Sequence, residues 1–331
     1  MNIFFSLVAV LILIVAAIFG AGSLKLDFLF GVIIPYTALA TFIIGIVAQV
    51  IKWARSPVPF HIPTVAGQQK SLPWIKSSKL ESPSSTLGVI GRMLLEILFF
   101  RSLFRNTKAE IKNGPKLAYG SSKYLWLGAI VFHWSFLIIF LRHFRFFMEP
   151  IPSFVITLQN LDGFFQIGLP VLLVTDALIS AALLFLIFRR IFDSKIRYIS
   201  LASDYFPLFL ILSIAVTGIL MRYFDKVDLI KVKELAIGLF SFHPAIPAGI
   251  GVMFFIHLFL VSVLIAYIPF SKLLHMPGIF LSPTRNLANN SRMKRHVNPW
   301  DYPVRVHTYE EYEDEFREVM KAAEMPLDKE N

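Results

Sequence analysis

Along most of this chain the apolar residues do not recur at the spacing of an amphipathic helix. They run together for about 20 residues at a time, the length that crosses a hydrocarbon layer. Six such runs stand out: Asn2–Leu24, Asp27–Trp53, Tyr124–Phe146, Gly163–Ile191, Asp204–Tyr223 and Pro247–Leu274. Backbone polar groups in lipid must be paired within the segment, so runs of this length predict helices. The expected fold class is an all-α integral membrane protein, a six-transmembrane-helix bundle. The first run ends in small residues, as a secretory signal does. It lacks a basic leader and is long for a signal h-region, so it is read as a retained span.

Polar positions return in blocks, and the blocks are basic. Between the second and third runs lie Arg55, Lys70, Lys76, Lys79, Arg92, Arg101, Arg105, Lys108, Lys112, Lys116 and Lys123. The connection after the fourth run carries Arg189, Arg190, Lys195 and Arg197, and the tail begins with Arg285, Arg292, Lys294 and Arg295. In a six-span topology all three blocks fall on one side, which the positive-inside rule makes cytoplasmic, with both termini. The connection Asp225–His243 dissents with Lys226, Lys231 and Lys233, partly offset by Asp225, Asp228 and Glu234. The organisation read from this pattern is two N-terminal spans (1–53), a cytoplasmic loop (54–123), a four-helix core (124–275) and a cytoplasmic tail (276–331).

Two stretches outside the spans carry local signals. The loop opens with the proline-broken SPVPFHIPTVAGQQKSLPW and continues as LGVIGRMLLEILFFRSLF, apolar on one helical face but interrupted by Arg92, Glu96 and Arg101. That pattern suits a helix lying in the membrane interface or packed on a partner. In the tail, Thr308 followed by Glu311 forms a capping box, so a helix is expected to start there. It reads either as a solvated acidic helix or as a docking arm.

Composition confirms the class and narrows the chemistry. The chain has 331 residues, 56% of them hydrophobic, with 33 phenylalanines; its mean hydropathy is +0.65. The net charge of +10 follows from the inward-facing basic blocks and contacts with anionic head groups. Basic residues are not interleaved with aromatics as in single-strand binders, so no nucleic acid is expected. There is no cysteine, which removes disulfides, Cys-ligated iron–sulfur clusters and covalent haem attachment. No phosphate-binding loop, dinucleotide fingerprint, HExxH or serine-hydrolase elbow is present.

What remains is histidine. His133 and His143 lie in the third run, and His257 and His275 in and just beyond the sixth. Ionisable residues inside a bilayer are costly and mark function by default, and imidazole is a common axial ligand of haem iron. On ideal helices the first pair is about 15 Å apart along the axis and about 80° around it; the second is about 27 Å apart on one face. Pro269 lies between the second pair and can kink or end that helix. The third and sixth runs are antiparallel, so the expected pairs are His133 with His275 near the cytoplasm and His143 with His257 near the outer face. Two haem b groups held this way would span much of the membrane. The alternatives for each histidine are a helix–helix hydrogen bond or a quinone contact. His61, His243, His296 and His307 are read as loop residues, with a quinone contact open for His243. Asp176 is read as a structural hydrogen-bond partner. Arg142, Arg145 and Arg222 are candidates to neutralise propionates or contact quinone, or else are interfacial anchors.

The intervals His-x9-His and His-x17-His, from Tyr124 to His275, resemble the dihaem cytochrome b of the respiratory nitrate reductase gamma-subunit family, with one extra N-terminal span here. The loop and the tail LSPTRNLANNSRMKRHVNPWDYP are similar to those of DsrM-type subunits of the sulfite-reduction-associated Dsr membrane complex. The resemblance implies two haem b groups, with His133, His143, His257 and His275 as iron ligands in the cross-pairing above. It also implies exchange of electrons with menaquinone and a cytoplasmic iron–sulfur subunit related to heterodisulfide reductase. In Dsr complexes that subunit acts on the DsrC persulfide or trisulfide carrier, beside other membrane-complex subunits. The function expected is menaquinol oxidation with electron delivery to the cytoplasm. The alternatives are a gamma subunit of a nitrate-reductase-like or heterodisulfide-reductase complex, or a haem-free transporter or membrane anchor.

Overall fold

The computed structural model describes residues 2–56, 67–112, 114–163, 171–293, 303 and 305–329. Helix α1 (Asn2–Ala17) continues as a π-helical turn to Ser23, and α2 (Ile34–Ala54) follows a second π turn at Leu29–Ile33. Four further long helices follow: α5 (Lys123–His143), α7 (Val174–Phe192), α9 (Ala202–Tyr223) and α11 (Val252–Tyr267). Shorter elements connect them: α3 (Thr86–Phe99), α4 (Arg101–Arg105), α6 (Ser153–Asp162), α8 (Ser194–Ile199) and α10 (Leu229–Phe240). After α11 come α12 (His275–Leu281), α13 (Pro283–Asn286) and α14 (Tyr309–Ala322).

The core lies between α1, α7, α9 and α11, around Val10, Ala17, Leu183, Leu210, Phe255 and Leu260. The outside is equally apolar: Phe4, Ile44 and Phe140 are 71%, 70% and 55% exposed. In water that surface would aggregate; around a membrane protein it faces acyl chains. Five stretches are long and apolar enough to cross a membrane: Asn2–Ser23, Leu29–Ala54, Lys123–Phe146, Ala202–Tyr223 and Val252–Phe270.

The fourth expected span, Gly163–Ile191, is not among them. Residues 164–170 lie outside the described residues, and α7 carries Asp176 near its start and Arg189 and Arg190 near its end. Those charges lower its apolarity, yet α7 runs antiparallel between α5 and α9 at their depth. Asp176 reaches Arg142 at the end of α5 and Tyr223 at the end of α9. At the opposite end, the Phe185 ring packs so closely on Gly128 that a methyl there would sit 2.5 Å away. Helices α1 and α9 are parallel, since Asn2 and Ser6 donate to the carbonyls of Ser200 and Ala202 at 3.0 and 2.9 Å.

The sixth span ends earlier than its apolar run. Pro269 is buried in a 3-10 turn, Ile268–Phe270, and a second turn, Lys272–Leu274, precedes α12. This break shortens the distance between His257 and His275 that a straight helix would impose.

The two basic segments around residues 67–121 and 271–293 meet in a platform at one end of the bundle. Ser85 caps α3 by accepting from the Gly88 amide at 3.3 Å. Arg92, read from sequence as an interruption of an apolar face, is 5% exposed. Its guanidinium donates to the carbonyls of Glu81, Leu287 and Arg285. Burial and Arg285 push its pKa down, while Glu81 and Glu96 push it back up. The Asn289 amide donates to the Pro83 carbonyl at 2.7 Å, and Arg285 to Ser102 at 2.8 Å. A hairpin, β1 (Thr107–Lys112) with β2 (Lys116–Ser121), pairs Thr107 with Ser121 and was not foreseen; its alternation is too short and lysine-rich to signal strands. Helix α14 has the expected capping box between Thr308 and Glu311. It folds back on the chain after it: buried Glu313 accepts from Arg317 and from the amides of Asp328 and Lys329.

Candidate functional site

Two facing pairs of histidines line α5 and α11. His133 on α5 and His275 at the start of α12 have ring centroids 6.0 Å apart, with planes crossed at 81°. His143 at the end of α5 and His257 on α11 are 6.5 Å apart with planes within 8°. Metal–imidazole bonds of about 2.0–2.1 Å, plus about 1.1 Å from nitrogen to ring centre, put two imidazoles on opposite sides of one metal roughly 6.3 Å apart. Both pairs have that spacing.

The second ring nitrogen of each histidine is occupied. Nδ1 of His133 bonds the Ala129 carbonyl at 2.7 Å, that of His143 the Ile139 carbonyl at 2.7 Å and that of His275 the Lys272 carbonyl at 2.9 Å. Carbonyls only accept, so each Nδ1 carries the proton and Nε2 keeps its lone pair. His257 Nδ1 instead meets the Thr217 hydroxyl at 2.9 Å. A histidine that binds a metal commonly has its tautomer and orientation fixed through its other nitrogen. The four residues therefore fit bis-histidine ligation.

Around the platform-end pair, Phe100 lies edge-on to His133 at 4.9 Å and Phe132 at 5.0 Å. Phe100 joins α3 to α4 in the left-handed region, at φ +50°. The Trp126 and Trp134 indoles donate to the Phe99 and Leu98 carbonyls at 2.7 and 3.1 Å, holding that junction against α5.

The far-end pair borders a buried polar cluster. Arg142 pairs with Asp162 and lies 3.8 Å from Asp176. Asp162 also accepts from the Thr175 amide and hydroxyl at 2.9 and 2.7 Å. Tyr223 donates to Asp176 at 2.9 Å, Arg145 to Gln159, and Arg222 to the Val171 carbonyl at 3.1 Å. The structure thus brings Arg142, Arg145 and Arg222 to the end where His143 stands. The Nε atoms of Arg142 and Arg222 are buried without a partner among the described residues. Asp162 and Thr175 were not anticipated from sequence; an aspartate next to glycine at the end of a short helix reads as a turn.

The other histidines stay apart from these pairs. His243 is exposed and bonds the Ser241 carbonyl at 2.8 Å, and His307 lies 3.8 Å from Glu315. His61 and His296 lie outside the described residues.

Residues 104–296 match the family described as nitrate reductase gamma subunit. The chain belongs to that family. All four paired histidines and the three arginines fall inside the matched region. Two relatives share 46% identity with it. One, from Archaeoglobus fulgidus, aligns over 280 residues, covering 82% of this chain and 83% of the relative. The other, from Archaeoglobus profundus, aligns over 275 residues and covers 81% of each. Both are described as an Hdr-like menaquinol oxidoreductase cytochrome b-like subunit. A membrane location and a haem b chemistry follow from the family and the five apolar helices.

Proposed function

We propose that this chain is the dihaem cytochrome b subunit of a membrane complex that oxidises menaquinol and delivers the electrons to a heterodisulfide-reductase-like iron–sulfur partner. The observation that carries the reading is the pairing of four histidines at two depths, each with Nδ1 already bonded. His133 with His275 would hold one haem b, and His143 with His257 the other. A haem with two histidine ligands supplies one-electron transfer with no open coordination position. The protein's task is then to fix the imidazoles, shield them from lipid and offer cations to the acidic groups of what binds there. Arg142, Arg145 and Arg222 serve that last role at the far end, where the Nε atoms of Arg142 and Arg222 are buried without a partner among the described residues.

Six crossings complete the scheme. Helix α7 has its one acid, Asp176, held by Arg142 of α5 and Tyr223 of α9, so it can cross with them although its apolarity is modest. The alternation then places the platform, both termini and the basic segments on one side, which the charge rule makes cytoplasmic. That side meets the iron–sulfur partner, whose class is supported by the relatives' description and by the absence of cysteine here. A role in dissimilatory sulfur metabolism, as in DsrM-type complexes, rests on the similarity of loop and tail.

The deciding experiment is a reduced-minus-oxidised spectrum of the chain purified from a haem-sufficient membrane, with pyridine-haemochrome quantification. Two haem b per chain, partly bleached by a menaquinone analogue after quinol reduction, is the expected result. A haem-free chain overturns the reading in favour of a transporter or anchor.

A further inference from the structure

Three of the four histidines bond a backbone carbonyl of their own chain segment, and one does not. His257 lies one turn beyond Met253, whose carbonyl would be the equivalent acceptor, yet its Nδ1 points across to α9 and meets Thr217 at 2.9 Å. The Thr217 hydroxyl lies 2.9 Å from the Ser213 carbonyl and 3.0 Å from that of Ile214. With Nε2 given to iron, as in the reading above, Nδ1 carries the proton, and the hydroxyl gives its own to one of these carbonyls. The hydroxyl therefore accepts from Nδ1–H of His257, and the bond runs imidazole to threonine to backbone. Thr217 is 7% exposed, so water does not replace it. The next residue, Gly218, leaves the ring room: a Cβ there would lie 3.4 Å from Cε1 of His257.

We propose that Thr217 is the positioning residue of His257, fixing both its tautomer and its ring plane, and so making the two haem centres inequivalent. The inference rests on the dihaem reading above. With the ring held by Thr217, the planes of His257 and His143 are within 8°, while His133 and His275 cross at 81°. In low-spin ferric haem, crossed imidazole planes give a highly anisotropic signal with a large principal g value, and parallel planes give an ordinary rhombic signal. One chain should therefore show one signal of each kind. The acceptor matters as well. An acceptor on Nδ1–H makes the imidazole a more basic ligand of iron, and for His257 the side-chain acceptor is Thr217. A more basic imidazole favours ferric over ferrous iron, so removing the Thr217 acceptor raises the potential.

The test is a redox titration followed by optical and electron paramagnetic resonance spectra, on the wild-type chain and on T217V and T217S. T217V keeps the shape of the side chain and removes the hydroxyl. The expected result is two haem b in all three proteins. In T217V the rhombic signal changes its principal g value and its potential rises, the crossed-plane signal stays in place, and T217S restores both. No change, a fall in potential, or an equal shift of both centres overturns the inference while leaving the dihaem reading intact. If T217V binds only one haem, the decision passes to T217S, which must match wild type; a T217S that differs also overturns it. A wild-type chain without haem defeats the underlying reading instead.

Discussion

At the far end of the bundle, His143 and His257 stand on two long helices and are backed by side chains: Thr217, Arg142, Asp162, Asp176 and Tyr223. At the platform end, His133 stands on a long helix, but His275 follows two 3-10 turns and Phe100 closes the site from a left-handed junction. The far end is held by buried charges and hydrogen bonds whose partners come from four helices. The platform end is held by aromatic packing and by a loop tied to the tail through Arg92. Buried ion pairs resist loss of one partner strongly, because the other is left uncompensated. Aromatic contacts are individually weaker and yield gradually. The two ends should therefore fail differently, and that difference can be tested.

The largest effect is expected from H143A or H257A, which should remove one of two haem b groups while the crossed-plane signal of the platform end persists. Pyridine-haemochrome counting checks it; loss of both centres from either variant would mean that the ends are not independent. Next, D162A should destabilise the chain by about 3 kcal/mol, since it leaves the buried Arg142 only Asp176, at 3.8 Å, and deprives Thr175 of two bonds. The apparent unfolding midpoint in detergent should fall well below that of wild type, and a fall no larger than that of a surface variant would place the ion pair outside the stability of the bundle. R92A breaks bonds to three carbonyls and should cost about 1.5–3 kcal/mol, mostly local to the platform. Its signature is faster proteolysis around residues 282–290 at unchanged far-end spectra. Smallest is F100L, which gives up an edge contact worth about 0.5–1.5 kcal/mol. It should move only the potential of the platform-end centre, and a shift at the far end instead would break the comparison.

The spans were legible because lipid allows few solutions: a run of apolar residues of the right length has to be a helix. Boundaries of five spans lie within a few residues of the hydrophobic runs. The fourth differs in carrying Asp176, Arg189 and Arg190, of which Asp176 is held by Arg142 of α5 and Tyr223 of α9. The meeting of His133 with His275 and of His143 with His257 follows from antiparallel order, and the straight-helix separation of the second pair was the one length that did not match. The helix ends early at Pro269, the residue the sequence marked as a kink or stop.

Sequence alone determined what kind of molecule this is. Hydrophobic runs, basic blocks, four membrane histidines and no cysteine are local facts, and each has a direct physical consequence in a bilayer. The tertiary structure decided the rest, because burial and pairing depend on neighbours far along the chain. It made Arg92, which interrupts an apolar pattern in the sequence, the tie between loop and tail. It also brought Asp162 to Arg142 across 20 residues and set Thr217 against His257 across 40. No periodicity encodes those meetings; they arise only when the helices pack.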